Sequence, residues 1–370
     1  MFNLSKKDFK KIDSILVFTL LALIVFGLLV LSSALTPLNR TIKSQLLATI
    51  VGVFLILFIF LLDLDFLRKI KWLFYALSIG LIGLTIVKGV GGDEWGANLW
   101  LKLGPINLQP SEISKVFQII FLSSYIGENK NKVNTWKFII SYIVLGAIPV
   151  GLIILQNDLG TALVLAFITV AMLFVSGISW KNILKLLAIF LVILLISLPF
   201  IWNKLEDYAK NRILDFRDGS RNLEVSTHQT DRGIIALGSG LLSGRGYKQG
   251  PFTQNSYIPA QETDFIFPVL VEDFGFIGGA SLIILYGIML WRLYVIALNA
   301  DELYHTSFVI GVFALLFIHI FENIGMTMKV MPVTGIPLPF VSSGGTFQMI
   351  NLTLMGIVLS ISMQRKGLDF

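Results

Sequence analysis

The chain has 370 residues, of which 55% are hydrophobic and only 14% are charged, and its formal net charge is +6. A soluble domain could not bury that much apolar surface, so the composition predicts an all-α, polytopic membrane protein. The absence of cysteine excludes disulfides, thiolate catalysis and cysteine-ligated metals. Basic loops on the cytoplasmic side of a membrane explain the positive charge, so we expect no nucleic-acid partner.

Long apolar segments recur along the chain and predict about ten membrane-spanning helices. The first runs from Ile12 to Leu35 and is about twice as long as a signal-peptide core, so we expect an uncleaved span. An even number of spans puts both termini on one side, and residues 1–370 are expected to form one domain. The predicted spans are residues 12–35, 42–62, 70–88, 111–126, 136–155, 159–177, 183–202, 265–291, 306–328 and 345–363.

The basic residues of the short loops are divided unequally between the two sides of the membrane. Because cytoplasmic loops carry the excess of Lys and Arg, this division predicts that both termini are cytoplasmic. The fifteen on the side of the termini are Lys6, Lys7, Lys10, Lys11, Arg68, Lys69, Lys71, Lys130, Lys132, Lys137, Lys181, Lys185, Arg292, Arg365 and Lys366, and the five opposite are Arg40, Lys43, Lys88, Lys102 and Lys329.

The same orientation places one long loop, about residues 203–263, outside the cytoplasm. A polar excursion of about 60 residues between tightly connected spans is either functional or disordered. Its glycine-rich run, residues 238–246, and its aromatic residues Tyr247, Phe252 and Tyr257 favour a folded, functional loop.

Two spans open on this outer side with polar residues. In the fourth span, Glu112 and Lys115 are three residues apart and are therefore neighbours on one helix face. They form either a self-neutralising pair that makes a helix end tolerable in lipid or part of a functional site. Asp158 opens the sixth span, where its position suits a helix N-cap or a substrate-binding residue.

Asp264 stands at the head of the long apolar run that forms the eighth span. A carboxylate at the edge of hydrocarbon is energetically costly, and an ionisable group there is a functional-site hypothesis. Asp264 is therefore the first candidate for chemistry. Glu272 or Asp273, further along the same run, could instead form a structural ion pair with Lys115 or Lys329.

The segment between the last two spans, residues 332–345, contains three prolines and three glycines and cannot form a helix. Irregular backbone between spans must be buried in protein or line a water-filled cavity. We therefore predict a structured loop that borders the site. His319 and Glu322, one turn apart in the preceding span, are too few for a metal site.

These segments resemble, in their order, the SEDS family (shape, elongation, division, sporulation), whose members include RodA, FtsW and SpoVE. By its length and short tails the chain is most similar to the RodA members, and the resemblance covers all ten spans and the long loop. The motifs that carry it are Gln109-Pro110-Ser111-Glu112-x-x-Lys115, Asp158-Leu159-Gly160-Thr161, Thr263-Asp264-Phe265-Ile266-Phe267, Asn323-Ile324-Gly325-Met326 and Gly335-Ile336-Pro337-Leu338-Pro339-Phe340.

The resemblance implies a peptidoglycan glycosyltransferase that polymerises lipid II on the outer face of the bacterial cytoplasmic membrane, for cell elongation and shape or for division. In that family the aspartate that corresponds to Asp264 is the essential acidic residue, and Glu112 and Lys115 match the family's Glu and Lys of the fourth span. The partner that the resemblance implies is a class B penicillin-binding protein, a single-span transpeptidase.

The chain departs from the family pattern at several positions. Leu99 stands where RodA-like proteins commonly carry arginine, Ala260 and Glu262 replace a usual Glu and His, and Ser343 replaces a tyrosine. A glutamine that is common before the glycine-rich run is Arg232. Either Arg232 and Glu262 take over the missing roles, or the protein is a divergent, low-activity scaffold that recruits a transpeptidase.

Forming a β-1,4 bond from a lipid diphosphate donor inverts the anomeric centre. The step needs a base for the acceptor hydroxyl and positive charge for the departing diphosphate. We expect Asp264 to be the catalytic base and Glu112 to orient Lys115. A divalent cation, Mg²⁺ or Mn²⁺, is kept open as a further source of charge. The predicted substrate-binding residues are Lys115, Glu112, Arg232, Arg245, Asp158 and Ser342.

A flippase for a lipid-linked precursor is the alternative from another functional class. Buried charges and broken segments such as residues 332–339 also suit a transport path across the bilayer. The sequence shows no inverted repeat, and its polar residues gather at one face instead of running through the midplane. These two features favour the enzyme.

Overall fold

The computed structural model describes residues 8–35, 40–91, 99–103, 106–204 and 225–364. These ranges are largely helical, and a short 3-10 helix, Phe9–Lys11, comes first. The other elements are α1 (Ser14–Ala34), α2 (Arg40–Leu61), α3 (Leu64–Lys69), α4 (Lys71–Lys88), β1 (Leu101–Leu103), β2 (Ile106–Leu108), α5 (Pro110–Glu128), α6 (Trp136–Ile154), α7 (Leu159–Val175), α8 (Trp180–Lys204), α9 (Val225–Ser239), α10 (Pro251–Gln254), α11 (Ile266–Leu298), α12 (Leu303–Thr327) and α13 (Gly345–Ser362).

Each of the ten predicted spans coincides with one long helix of this set. Seven described helices are long and apolar enough to cross a bilayer, namely α1, α2, α4, α6, α11, α12 and α13, and α7 is a shorter apolar helix. The fold-class prediction of an all-α, polytopic membrane protein is therefore confirmed. The antiparallel pair β1 and β2 is a small addition between α4 and α5.

Helix α5 lies at the centre of the bundle, against α4, α7 and α12. It begins at Pro110, whose fixed φ and missing N–H suit the first position of a helix. Its polar residues are buried among these neighbours and face away from lipid, which explains how so polar a helix fits inside an apolar bundle. They include Ser111, Glu112, Ser114, Lys115 and Gln118.

The two ends of the described chain meet at one end of the bundle. The N–H of Asp8 donates a hydrogen bond to the carbonyl of Met363 at 3.1 Å. Nearby, the guanidinium of Arg292 donates to both carboxylate oxygens of Asp13 at 2.6 and 3.1 Å. Both ends of the chain thus lie on one side, as an even number of spans predicts, and the start of α11 lies at the opposite end, which we call the Asp264 side.

Helix α11 is broken at Gly275, whose backbone has φ 68° and ψ −167°. Its 33 residues would extend about 50 Å as one straight helix, well beyond a hydrocarbon core of about 30 Å. At the break, backbone groups of α11 lose their helical partners, and in a membrane such groups must be satisfied by protein.

The glycine-rich segment 240–246, which we call the glycine strap, supplies those partners. The N–H groups of Arg245 and Gly246 donate to the carbonyls of Glu272 and Asp273 at 2.8 and 3.1 Å. In return, the carbonyls of Leu241 and Leu242 accept from the N–H groups of Phe276 and Ile277 at 2.9 and 3.1 Å. The strap therefore completes the backbone hydrogen bonding of the broken helix, and the predicted folded loop is confirmed over its described residues.

The carboxylate of Glu272 is satisfied by backbone and hydroxyl donors. It accepts the N–H groups of Phe252 and Thr253, both at 2.9 Å, and the hydroxyl of Thr253 at 2.6 Å. The predicted cross-helix ion pair of Glu272 or Asp273 is wrong, because the two lysines have other partners. Lys115 pairs with Glu112 and Lys329 pairs with Asp231.

Replacing Gly244 by alanine is expected to destabilise the protein. Gly244 has φ +85°, and an added Cβ would overlap the carbonyl of Asp273. The left-handed backbone alone costs an alanine about 1–2 kcal/mol, and the overlap adds to this. Thermal unfolding in detergent should show a lower midpoint for Gly244→Ala. Gly238→Ala is the matched control, since a Cβ there meets nothing within 4 Å; equal midpoints for the two variants would contradict the role of the strap.

Candidate active site

Asp264 lies in a tight turn immediately before α11 and is half-buried. The N–H groups of Thr263 and Phe265 both donate to the carbonyl of Ala260 at 3.1 Å, which closes the turn. Ala260 itself has a positive φ of 51°. This backbone arrangement, which we call the acidic turn (residues 260–265), fixes where Asp264 stands at the end of the bundle.

The irregular segment between α12 and α13, residues 332–344, borders the acidic turn as predicted, and we call it the proline loop. The side-chain amide of Asn323 donates to the carbonyls of Asp264 and Ile336 at 2.9 and 2.8 Å, which ties the turn to the loop. A Cβ added at Gly335 would lie 3.6 Å from Oδ2 of Asp264. The loop therefore forms one wall beside the candidate base.

Ser342 holds the same two segments together. Its buried hydroxyl donates to the carbonyl of Thr263 at 2.5 Å and accepts the N–H of Leu338 at 2.8 Å. The N–H of Ser343 donates to the carbonyl of Glu262 at 2.8 Å. Ser342 therefore positions the acidic turn, and the substrate contact predicted for it stays a prediction.

Asp158 caps α7 directly beneath the proline loop. Its Oδ1 accepts the N–H of Thr161 at 3.0 Å, which is the predicted N-cap. A Cβ at Gly160 would lie 2.8 Å from the carbonyl of Thr334, so the start of α7 packs closely against the loop. Asp158 is partly exposed and lies at the edge of the same site.

Lys115 is the centre of a buried polar network. Its ammonium lies 2.6 Å from Oε1 of Glu112 and 3.2 Å from Nε2 of His319, and 5.9 Å from the ring centre of Phe347. Only 2% of Lys115 is exposed. The predicted orientation of Lys115 by Glu112 agrees with this geometry. The direct substrate contact predicted for the two residues stays a prediction.

His319 belongs to this network and Glu322 lies near it, and neither was assigned to the site from the sequence. Both lie on α12 and are 1% exposed, and one carboxylate oxygen of Glu322 makes no hydrogen bond within the described ranges. Lys115, Asp158 and Thr334 are the charged and polar neighbours of Glu322. The available signal was the spacing of His319, Glu322 and Asn323, which puts three polar groups on one face of a membrane helix.

The two predicted arginines differ in their position. Arg232 is exposed on α9 and donates to the carbonyl of Tyr257 at 3.1 Å. The next residue, Gly233, packs against the ring of Phe265, so Arg232 lies beside the acidic turn. The backbone of Arg245 contacts Glu272, about 12 Å along α11 from Asp264 by the helical rise per residue. The structure thus brings Arg232 close to Asp264 and leaves the backbone of Arg245 apart.

Some positions singled out from the sequence lie at or beyond the edges of the described residues. Leu99 begins the described range 99–103, and residues 92–98 before it lie outside the described residues, as does the part of the long loop from 205 to 224.

Among the residues that the structure describes, no group of three or more His, Asp or Glu could hold a metal ion. The divalent cation, Mg²⁺ or Mn²⁺, that was kept open from the sequence stays a prediction.

Comparison with known proteins agrees with this architecture. A family model for FtsW, RodA and SpoVE, described as "Cell cycle protein", matches residues 13–367. The chain belongs to the FtsW/RodA/SpoVE family. One relative is the peptidoglycan glycosyltransferase MrdB of Escherichia coli K12, 31% identical over 371 residues, which covers 99% of this chain and 98% of MrdB. Stage V sporulation protein E of Bacillus subtilis is 32% identical over 326 residues, 86% of each chain.

Two solved structures are also similar to this chain. A chain of a peptidoglycan synthase complex, studied for the coordination of polymerization and crosslinking, superposes with a TM-score of 0.82 at 29% identity and covers 96% of this chain and 99% of that one. The rod shape determining protein RodA of Thermus thermophilus has a TM-score of 0.71 at 28% identity, with 96% and 97% coverage. The likeness extends over nearly the whole chain.

Proposed function

We propose that this protein is a peptidoglycan glycosyltransferase that polymerises lipid II into glycan strands at the outer face of the bacterial cytoplasmic membrane. The observation that carries the proposal is the convergence of the family motifs on Asp264. The acidic turn, the proline loop, the start of α7 and Asn323 of α12 meet at one end of the bundle. The relatives named as peptidoglycan glycosyltransferases support the same reaction.

Asp264 acts as the general base in this reaction. The oxygen of the acceptor 4-hydroxyl attacks the anomeric carbon of the donor, the bond from that carbon to the lipid diphosphate breaks, and the hydroxyl proton passes to the carboxylate of Asp264. Attack from the face opposite the leaving group inverts the anomeric centre. The negative charge leaves on the lipid diphosphate, so the site needs cations on the donor side.

The frame around the acidic turn keeps this base in place. Asn323 and Ser342 hold the turn through carbonyl groups of the main chain, and the carboxylate of Asp264 takes no part in those bonds. A base fixed by rigid elements reaches the acceptor hydroxyl without reorganisation, and a misplacement of about 1 Å is enough to lower a rate on the order of 100-fold.

Positive charge for the diphosphate comes from Lys115 and Arg232. Arg232 is exposed beside the acidic turn and can reach a bound anion directly. Lys115 is buried and acts through its electric field, which is screened less in the interior of the protein than in water. A divalent cation would have to be ligated chiefly by the substrate, and no step of the proposal passes through one.

The membrane orientation follows from the distribution of Lys and Arg between the short loops. With both termini cytoplasmic, the Asp264 side faces outward, where lipid II is polymerised. The partner in the proposal is a class B penicillin-binding protein that crosslinks the new strands. Its support is the close likeness to a chain of a complex that coordinates polymerization and crosslinking.

A strand-synthesis assay tests the proposal. The full-length protein is reconstituted with its cognate transpeptidase and fluorescent lipid II, and the products are separated on a gel. We expect a ladder of glycan strands. A parallel liposome assay measures the movement of lipid II between leaflets. Rapid movement without strand synthesis would contradict the polymerase and support the flippase alternative. If a folded complex showed neither activity, the low-activity scaffold that recruits a transpeptidase would be the remaining alternative.

A further inference from the structure

The contact between Lys115 and His319 indicates which tautomer of the imidazole is present. An ammonium has three N–H donors and no acceptor. Nε2 of His319, 3.2 Å from the ammonium, must therefore accept, and a neutral His319 carries its proton on Nδ1. Since Glu112 accepts a second N–H at 2.6 Å, the ammonium has one charged and one neutral acceptor.

Packing fixes the neutral acceptor rigidly. The ring of His319 stacks on that of Phe347, with 5.4 Å between centres and 9° between planes. Phe347 lies in the first turns of α13, so α5, α12 and α13 all contribute to holding the ammonium. A lysine side chain has about 2 kcal/mol of rotamer entropy, which these contacts must restrict to keep the charge in one place.

Glu322 is a second carboxylate near the same ammonium. It lies one helical turn from His319 on α12, within electrostatic range of Lys115. One of its oxygens is buried and makes no hydrogen bond to the described part of the chain. If the ammonium swung to that oxygen, it would lie between two carboxylates, Glu112 and Glu322, and the three groups together would carry a net negative charge that opposes the departing diphosphate.

We propose that His319 is a positioning residue that holds the Lys115 ammonium through a neutral acceptor and keeps it from pairing with Glu322. The inference rests on the proposed function, because the field of Lys115 serves the departing diphosphate. His319 touches neither sugar nor diphosphate and acts through Lys115. Glu112 already balances the charge of the ammonium, so a carboxylate in place of His319 would make the cluster net negative, and an apolar residue would leave the ammonium without its neutral acceptor.

Three substitutions separate this role from simple packing. His319→Phe keeps an aromatic ring against Phe347 but removes the acceptor, and we expect kcat to fall about 10- to 100-fold with little change in KM. His319→Gln restores a neutral acceptor and should stay within about threefold of the wild type. Glu322→Gln removes the competing charge, and in the His319→Phe background it should recover part of the lost kcat.

A double-mutant cycle with Lys115→Met is the second arm. If His319 acts through Lys115, adding His319→Phe to Lys115→Met lowers the rate no further. The proposal would be overturned if the losses of rate in the two single variants multiplied in the double variant. A wild-type kcat in His319→Phe would also overturn it, as would a His319→Phe/Glu322→Gln variant that recovers no kcat. If His319→Phe does not fold, as judged by thermal unfolding, His319→Met takes its place in every comparison.

His305 provides the matched control. It is the other buried histidine of α12, at the end of the helix away from Asp264. His305→Phe is expected to leave strand synthesis unchanged. All rates are measured on the complex with the transpeptidase, so failure of the wild-type complex to make strands would count against the proposed function. If only the inference about His319 fails, the wild-type complex still makes strands, and the rates of the His319 and Glu322 variants relative to it differ from those expected.

Discussion

Asp264→Asn is expected to abolish polymerisation of lipid II by the purified, transpeptidase-bound protein. An amide has nearly the size of the carboxylate but cannot take the acceptor proton, and removal of a positioned base typically lowers a rate on the order of 100- to 10,000-fold. The acidic turn itself should persist, because Asn323 and Ser342 hold it through main-chain carbonyls. Strand synthesis is measured on gels, and expression and transpeptidase binding are measured in parallel.

Asp231→Asn is the control for the loss of an acid nearby. Asp231 pairs with Lys329 on the surface, and both side chains are well exposed. Exposed ion pairs contribute little to stability, with measured values of about 0–1 kcal/mol, so this variant should polymerise at close to the wild-type rate. Retained polymerisation by Asp264→Asn would remove Asp264 from the chemistry and leave the proton without its assigned acceptor.

Asn323→Leu should damage both the stability and the activity of the protein. Leucine is similar in size but offers no N–H, so the carbonyls of Asp264 and Ile336 each lose a buried partner. Leaving a buried polar group unpaired costs about 1–3 kcal/mol. This cost applies in full to the buried carbonyl of Ile336, whereas the bond to Asp264 is only part-buried. We also expect kcat/KM to fall on the order of 100-fold, because the acidic turn is no longer tied to the proline loop. Thermal unfolding and strand synthesis measure the two effects.

Asn299→Leu serves as the comparison. Asn299 is an exposed residue at the end of α11, where its amide donates to the carbonyl of Val295 in its own helix at 2.8 Å. The exposed carbonyl can bond to water instead, so a small loss of stability and unchanged activity are expected. If Asn323→Leu behaved as mildly as Asn299→Leu, the bonds of Ser342 would have to be sufficient to hold the turn.

The helices were predictable from the sequence because a bilayer imposes a local requirement. A run of about 20 apolar residues must be helical in hydrocarbon, whatever the rest of the chain does. Even the polar α5 was located, since Gln109-Pro110 marks its start and the apolar stretch 111–126 follows directly. The proline loop was equally accessible, because proline and glycine exclude a helix there.

The partners of buried charges were not predictable in the same way. The sequence offered lysines as partners for Glu272, whereas its carboxylate binds the N–H groups at the start of the four-residue helix α10. His319 and Lys115 are 204 positions apart, and only the packing of α5 against α12 brings them together. Such contacts depend on how helices are arranged around each other, which composition and spacing leave open.

The break at Gly275 also bears on how the protein is made. The strap residues Leu241 to Gly246 precede α11 in the chain, so the ribosome delivers them before the helix that they complete. When Gly275 emerges, the donors and acceptors for its neighbours already exist on the nascent polypeptide. The broken helix can therefore form its hydrogen bonds to the strap as soon as it is synthesised. Its free amides and carbonyls do not depend on a segment that is made later.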